Sequence, residues 1–210
     1  MEYNLITAIA VDGDHKKGSF MLKYYKENSK IITKLILYQV GAAILGIIVT
    51  TAAVMSEWLF LAAGIFSTVF YLVLLYSAMW EEGGRERIRI DGGRAEWKPW
   101  RGLFVSLMAN IPNMILAFLI IFGNIFGSKS GPFAWVFAGS IGAVAAVIAR
   151  FWEGMYLALI QTFSPYNPIA FLLVILPSLA VCTAAYAMGI HNRRIFGFIR
   201  DAATNRNIRH

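Results

Sequence analysis

Long apolar stretches constrain this chain more than any other feature of its sequence. A membrane-spanning helix needs about 20 mainly apolar residues, because roughly 30 Å of hydrocarbon is crossed at about 1.5 Å per residue. Only 15% of the 210 residues are charged, whereas a soluble domain carries roughly a quarter, which excludes an ordinary soluble domain. The candidate stretches are Ile31 to Met55, Trp58 to Trp80, Gly102 to Phe126, Phe133 to Phe163 and Pro168 to Ile190.

These stretches lack the alternation of polar and apolar residues that marks membrane strands. The sequence therefore predicts an all-α fold, a polytopic transmembrane helical bundle. The first two spans are separated by little more than Ser56 and Glu57, which predicts a tight antiparallel hairpin. The predicted organisation is a cytoplasmic N-terminal segment 1–30, a transmembrane helical domain 31–190 with a cytoplasmic loop 81–101, and a basic cytoplasmic tail 191–210.

The positions of the 19 Lys and Arg residues predict how the spans face, because cytoplasmic flanks collect positive charge. If the stretch 133–163 is one span, the basic tail lies on the opposite face from the N-terminal segment and the loop 81–101. If that stretch turns at Arg150, 18 positive residues share one face and only Lys129 lies outside. We therefore predict about six membrane segments, five full spans plus one short, with both termini cytoplasmic.

The sixth segment would be short. Phe151 to Phe163 has 13 residues, and about 20 Å of helix, at about 1.5 Å per residue, is less than a full crossing. The segment would then be a half-helix or an interfacial, re-entrant piece.

The loop 81–101 alternates polar and apolar residues over Arg85 to Ile90, and Asp91-Gly92-Gly93 supplies a turn signal. This pattern is typical of a small β-hairpin lying on the membrane surface, although a solvated charged loop explains it equally well. Basic residues directly beside spans favour binding to anionic headgroups of the lipid bilayer, and we expect no nucleic acid. The loop and the tail 191–210 are also the places where a protein partner could dock.

Arg150 and Glu153 interrupt the fourth stretch, and a charge inside a membrane is costly unless it has a function or a partner. Three residues apart, they share one face of a continuous helix and are close enough to pair. One interpretation is an arginine that binds an anion, with Glu153 as its counter-ion or as a proton carrier. The other, which the charge distribution favours, is an anchor at the cytoplasmic end of a helix. Ala138, Gly142 and Ala146 precede Arg150 at steps of four and predict a close packing seam.

The third stretch contains Asn110, Pro112 and Asn113, which predict a kink with polar groups inside the membrane. The two amides either line a polar cavity or hydrogen-bond to a neighbouring helix, and interhelical bonding is the commoner role. Gln39 in the first stretch and Pro177-Ser178 in the last add polar groups and a second expected kink. The candidate polar membrane site consists of Asn110, Asn113, Arg150, Glu153 and Gln39.

Several chemistries have no support in the sequence. His15, His191 and His210 lie outside the spans and far apart, and Cys182 is alone, so we expect no metal site. Motifs of nucleotide binding, serine hydrolases and zinc proteases do not occur, and the sequence shows no nucleophile paired with a general base. We therefore expect no cofactor, no catalytic residues and no enzymatic activity.

Three short motifs carry a resemblance: Met79-Trp80-Glu81, Asp91-Gly92-Gly93-Arg94 and Ala109-Asn110-Ile111-Pro112-Asn113. At these positions the chain resembles uncharacterised multi-pass membrane proteins of Gram-positive bacteria, over most of its length from the first hairpin to the final span. The resemblance implies a location in the bacterial cytoplasmic membrane. It implies no described activity and carries over no catalytic residues.

Proline-broken spans and a short segment are the pattern expected around the central site of a transporter. The leading functional hypothesis is therefore a small transporter, or the membrane subunit of a transport complex, with a polar site between the third stretch and the Arg150–Glu153 turn. Because no nucleotide-binding motif occurs, an ATP-driven version needs a separate ATPase that would contact the loop 81–101. The alternative is a non-catalytic membrane scaffold or assembly factor whose loop and tail dock partners.

Overall fold

The computed structural model describes the backbone of residues 2–94, 96–127, 132–164 and 167–192, and the side chains of 25–94, 96–126, 139–164 and 167–192. In this part of the chain every regular element is helical, which confirms the prediction of an all-α fold. The elements are α1 (Glu2–Ala52), α2 (Glu57–Asp91), α3 (Arg101–Ala109), α4 (Ile111–Gly127), α5 (Pro132–Trp152), a 3₁₀ turn (Gly154–Tyr156), α6 (Leu157–Phe163), α7 (Ala170–Leu173) and α8 (Ile175–Ile190). Lys129 and the tail from residue 193 onward lie outside the described residues.

Helices α1 and α2 form the antiparallel hairpin predicted from the sequence. Ser56 is extended and directly precedes α2. Near the other end of the hairpin, Lys34 Nζ donates to Glu81 Oε2 over 3.0 Å. The helical backbone of α1 begins at Glu2, although the part with the length and hydropathy of a span is Tyr25–Ala52. The predicted N-terminal segment thus continues the helix of the first span.

The loop 81–101 is not a β-hairpin, and its first half is not a loop. Helix α2 continues without interruption to Asp91, and no strand occurs among the described residues. Arg85 Nη2 donates to Glu81 over 2.6 Å, and a second i,i+4 ion pair follows further along, so charged pairs support a helix where alternation suggested a strand. The helix ends at the predicted turn residues, with Gly93 in the left-handed region at φ 66°.

Helices α3 and α4 together have the length and hydropathy of one span, and they are bent by 56° around Asn110. The kink expected from Pro112 is therefore present. Pro112 occupies the first turn of α4, where its missing N–H would have no helical partner in any case. The Asn110 carbonyl accepts from the Met114 N–H over 3.0 Å, which starts the second half.

Helix α5 and the elements after it are bent by 81° at Glu153. The sequence placed this break at Arg150, three residues earlier. Gly154 explains the difference, because a Cβ there would overlap the Ala43 carbonyl oxygen and the Ile47 side chain of α1. The glycine after Glu153, rather than the arginine before it, fixes the position of the break.

The break lies beside the middle of the α1–α2 hairpin. Ala43, which Gly154 contacts, is the midpoint of the first predicted span. Thr68 of α2 donates to the Met155 carbonyl over 3.0 Å, and Ala158 packs on Gly64, one turn nearer the start of α2. Helix α6 therefore runs from the middle of the hairpin toward its turn, which is the geometry of a re-entrant segment.

The last two helices return the chain to the end of the bundle where α2 ends. Helices α7 and α8 meet at Val174, three residues before Pro177, and together have the length of a span. Gly83 of α2 and Gly189 of α8 cross so closely that a Cβ on either would overlap a backbone carbonyl of the other helix.

One end of the bundle collects the charged connections, and we call it the charged end. It holds the Lys34–Glu81 pair, the connection between α2 and α3, and His191, whose ring lies edge-on to Trp97 with 6.3 Å between centroids. The first span therefore starts, and the last span finishes, at the same end. Among the described helices three can cross a membrane by length and composition, or up to five if each bent pair counts as one span.

The outer surface of the helices is apolar. Leu37, Phe66 and Val147 each expose more than half of their area, and many other large apolar side chains do the same. Such a surface is favourable in lipid and unfavourable in water. The described helices thus have the length, composition and surface that suit an integral membrane protein.

Small residues bring α4 and α5 together, as the sequence predicted for this seam. Gly142 of α5 lies directly against the backbone of Gly123 of α4, and Ala146 packs against the core. The side chain of Ala138, the first member of the predicted seam, lies outside the described residues.

Candidate functional site

The predicted intramembrane amides belong to one hydrogen-bonded set, which we call the amide chain. Gln39 Nε2 of α1 donates to Asn113 Oδ1 over 2.7 Å. Asn113 Nδ2 in turn donates to Asn110 Oδ1 over 3.0 Å. Ser178 Oγ of α8 reaches the same Asn110 oxygen over 3.3 Å. All four side chains are at most 4% exposed, so the amide chain lies inside the bundle.

The break between α3 and α4 positions the central member of the amide chain. The Asn110 N–H is shared between the carbonyls of Ser106 and Leu107, at 3.0 and 3.1 Å. Its side-chain Nδ2 donates to the Ser106 carbonyl over 2.9 Å. Asn110 therefore caps the end of α3 with its amide nitrogen and offers its amide oxygen to the amide chain.

The amide chain connects α1, the α3–α4 break and α8, which are far apart in the sequence. Asn113 uses both its oxygen and its nitrogen, and the single O–H of Ser178 is shared between Asn110 Oδ1 and the Ile175 carbonyl oxygen, which is 2.8 Å away. Of the two roles that the sequence left open for the amides, the structure shows hydrogen bonding between helices. Ser178 belongs to the same set; the sequence indicated it as a polar group in the last span but did not include it in the candidate site.

Glu153 is a buried carboxylate at the break after α5. Its side chain is 1% exposed, and neither of its oxygens has a hydrogen-bond partner among the described residues. It lines a cavity of about 20 Å³ together with Arg150, Leu157, Ile160, Gln161 and Phe171. A cavity of this size can hold about one water molecule.

The expected ion pair between Arg150 and Glu153 is not formed. The i,i+3 spacing places two side chains on one face only in a continuous helix, and α5 ends at Trp152. Arg150 is exposed on the surface of the bundle and has no ion-pair partner within the part of the chain that the structure describes. The two residues share the wall of the small cavity without a direct contact.

Two tyrosines lie beside Glu153 and were not recognised from the sequence. Tyr71 of α2 and Tyr156 of the 3₁₀ turn meet edge to face, with 5.9 Å between ring centroids, and both are at most 3% exposed. Both lie near Glu153 and near Cys182 of α8. A tyrosine in an apolar span is a weak signal, because most of its surface packs like phenylalanine.

The amide chain and Glu153 are neighbours along α1. Gln39 belongs to the amide chain, and Ala43, four residues later, contacts Gly154 at the second break. Four residues of helix rise by about 6 Å. Four of the five predicted site residues thus lie inside the bundle near its two broken spans, and Arg150 lies at their edge.

Arg101 is a further buried polar centre, at the charged end. Its Nε donates to Asn28 Oδ1 of α1 over 3.0 Å and its Nη2 to Glu82 Oε1 over 3.2 Å, while its Nη1 contacts Glu86 Oε2. The side chain is 13% exposed. The sequence counted Arg101 only among the positive charges of the loop 81–101, since nothing local shows that α1 and α2 surround it.

A polar cleft of about 440 Å³ opens beside Arg101 at the charged end. Its lining contains acidic and basic groups in similar numbers, and the Glu86 carboxylate in it is already paired with Arg101 and Arg89. The cleft therefore has no strong field of one sign. Its remaining lining residues are Glu27, Asn28, Arg94, Glu96 and Lys98.

No three His, Cys, Asp or Glu residues lie close enough together to hold a metal ion in the described part of the chain. The predicted docking tail beyond residue 192 lies outside the described residues. No protein-family model matches the chain, and no curated protein or solved structure is significantly similar to it.

Proposed function

We propose that the protein is a small multi-pass transporter, or the membrane subunit of a transport complex, in the bacterial cytoplasmic membrane. One observation carries this proposal: two bent helix pairs break inside the bundle, and each break holds a buried polar side chain, Asn110 in one and Glu153 in the other. Discontinuous helices with polar groups at the breaks are the usual construction of transporter binding sites.

The amide chain is the substrate-binding element in this proposal. Its amide and hydroxyl groups supply both donors and acceptors without net charge, so they suit a small polar solute. Gln39 and Asn113 belong to different helices, and a solute can bind by exchanging their mutual hydrogen bond for bonds to itself. The bend at Asn110 allows α4 to move relative to α3 during this exchange.

Paired substitutions test this role. In cells that carry Asn110→Leu with Asn113→Leu, we expect the uptake and export profile to change, because the polar contacts for the solute are lost. Asn124→Leu is the matched control, since Asn124 is an exposed amide on α4. An unchanged profile in the double variant, with normal amounts of protein in the membrane, would remove the support for transport through this site.

The rival function is a membrane scaffold or assembly factor, and two observations favour it. The amides bond to one another as interhelical contacts do, and the larger cleft lies at the charged end. A scaffold should tolerate polar-to-apolar changes at Asn110 and Asn113 and should lose its function when Arg193 to His210 are removed. A crosslinked pull-down from native membranes separates the functions further, because a transport subunit should bring down an ATPase bound near residues 81–101.

A further inference from the structure

We propose that Glu153 is a proton-binding site. It takes up one proton when the segment after α5 is bent, which we call the closed arrangement, and releases it when the segment straightens. This inference rests on the proposed transport function and supplies its coupling ion. Three observations point to it: the carboxylate is buried, both of its oxygens lack a hydrogen-bond partner among the residues that the structure describes, and it lines a cavity the size of a water molecule.

The surroundings of Glu153 favour its neutral form in the closed arrangement. An ionised carboxylate in the interior of a membrane protein needs an ion pair or several donors, and Glu153 has neither among the described residues. Helix α1 contributes Ala43, Gly46 and Ile47 beside the break, and α7 contributes Phe171. The ionisable and polar groups near Glu153 are Arg150 and Tyr156 from its own segment, Tyr71 of α2, Gln161 of α6 and Cys182 of α8.

Arg150 provides the partner for the ionised form. If α5 straightens through Glu153, the i,i+3 spacing brings the carboxylate and the guanidinium to one helical face. The bent segment therefore holds a neutral Glu153, and the straight segment holds an ionised Glu153 paired with Arg150. In the step between them the carboxyl O–H bond breaks, and the proton passes to a water in the adjoining cavity and from there to bulk water.

Infrared spectroscopy of the full chain in lipid nanodiscs tests the site directly. At neutral pH we expect the C=O band of a protonated carboxylic acid, which disappears in Glu153→Gln and shifts in frequency in Glu153→Asp. Glu86→Gln is the matched control, because Glu86 is also buried but forms ion pairs with Arg101 and Arg89. A wild-type spectrum without the band, or a band that survives in Glu153→Gln, overturns the proposal.

The Glu153→Asp variant keeps the test decisive if Glu153→Gln does not fold, since a frequency shift assigns the band equally well. Spectroscopy of the carboxyl group does not depend on transport. A band assigned to Glu153 together with an unchanged solute profile in Asn110→Leu/Asn113→Leu cells would support proton binding and contradict the transport site. The absence of the band together with an altered profile would contradict proton binding alone.

Discussion

Asn113 is the residue through which the amide chain joins α1 to the α3–α4 break. Asn113→Leu leaves Gln39 Nε2 buried without an acceptor, so we expect a loss of about 1–2 kcal/mol in the free energy of unfolding. Asn124→Leu on the exposed face of the same helix should change it by less than about 0.5 kcal/mol. The measurement is chemical unfolding in detergent.

Gln39→Leu completes a double-mutant cycle on the same hydrogen bond. The double variant Gln39→Leu/Asn113→Leu should cost less than the sum of the two single variants, because neither partner is then left unsatisfied. Strict additivity would show that the 2.7 Å contact between the two amides does not stabilise the bundle.

Arg101 is held by α1 and α2 at once, so its removal should be costly. Arg101→Met leaves the buried Glu86 without its main partner, and we expect a loss of about 3 kcal/mol. The free energy of unfolding of Arg101→Lys should lie between those of Arg101→Met and the wild type. An ammonium keeps the charge but does not reproduce the guanidinium contacts to Asn28, Glu82 and Glu86.

Arg87→Met is the control for Arg101. The Arg87 side chain is 43% exposed and pairs with Asp91 at 3.5 Å on the same helix, so its loss should cost less than about 0.5 kcal/mol. Equal effects of the two substitutions would mean that Arg101 is no more than a surface charge. Both variants are compared with the wild type by the same unfolding measurement.

At the level of helices, the crossing of α2 and α8 depends on two glycines. Gly83→Ala places a Cβ against the Tyr186 carbonyl, and we expect it to destabilise the protein by about 1–3 kcal/mol. The neighbouring Gly84 has open space around it, so Gly84→Ala should be neutral or stabilise α2 by up to about 1 kcal/mol. Thermal unfolding of the two variants measures the difference in stability. A Gly83→Ala variant as stable as the wild type would contradict the close crossing.

The sequence predicted those parts of the helices that depend on local chemistry. Apolar length gave the helical spans, and Pro112 gave the bend near Asn110, because a proline acts on its own turn. The break at Glu153 was placed three residues too early, because it depends on the contact of Gly154 with α1. The continuation of α2 to Asp91 was missed because the alternation of polar and apolar residues after Arg85 indicated a strand more strongly than the i,i+4 charge pairs indicated a helix.

For the candidate site, the sequence predicted which residues belong to it but not the contacts between them. A polar residue in an apolar span is visible in the sequence, so Gln39, Asn110, Asn113 and Glu153 were all found. Which of them share hydrogen bonds is decided by the packing of α1 and α8 on the α3–α4 break, which the sequence does not show. Arg101 was overlooked because its partners come from two distant helices.

The crossing pattern of the whole chain follows from where the broken spans end. Helix α6 runs from the middle of the α1–α2 hairpin toward its turn, and α8 finishes at the charged end beside α2. We therefore expect four crossings and one re-entrant segment, which leaves both termini on the same face. The positive charges favour the cytoplasm for that face.

Single cysteines in a Cys182→Ala background test this arrangement with a membrane-impermeant maleimide. Lys98→Cys should be labelled only after the cells are permeabilised, and Lys129→Cys in intact cells. Arg150→Cys should resist labelling in both, because four crossings with a re-entrant segment would put the second break, which lies beside the middle of the hairpin, at the depth of the bilayer core. If Arg150→Cys is labelled in the same way as Lys98→Cys, the chain turns at the cytoplasmic surface and crosses six times. If Lys98→Cys is labelled in intact cells, the charged end faces outward and the orientation inferred from the positive residues is wrong.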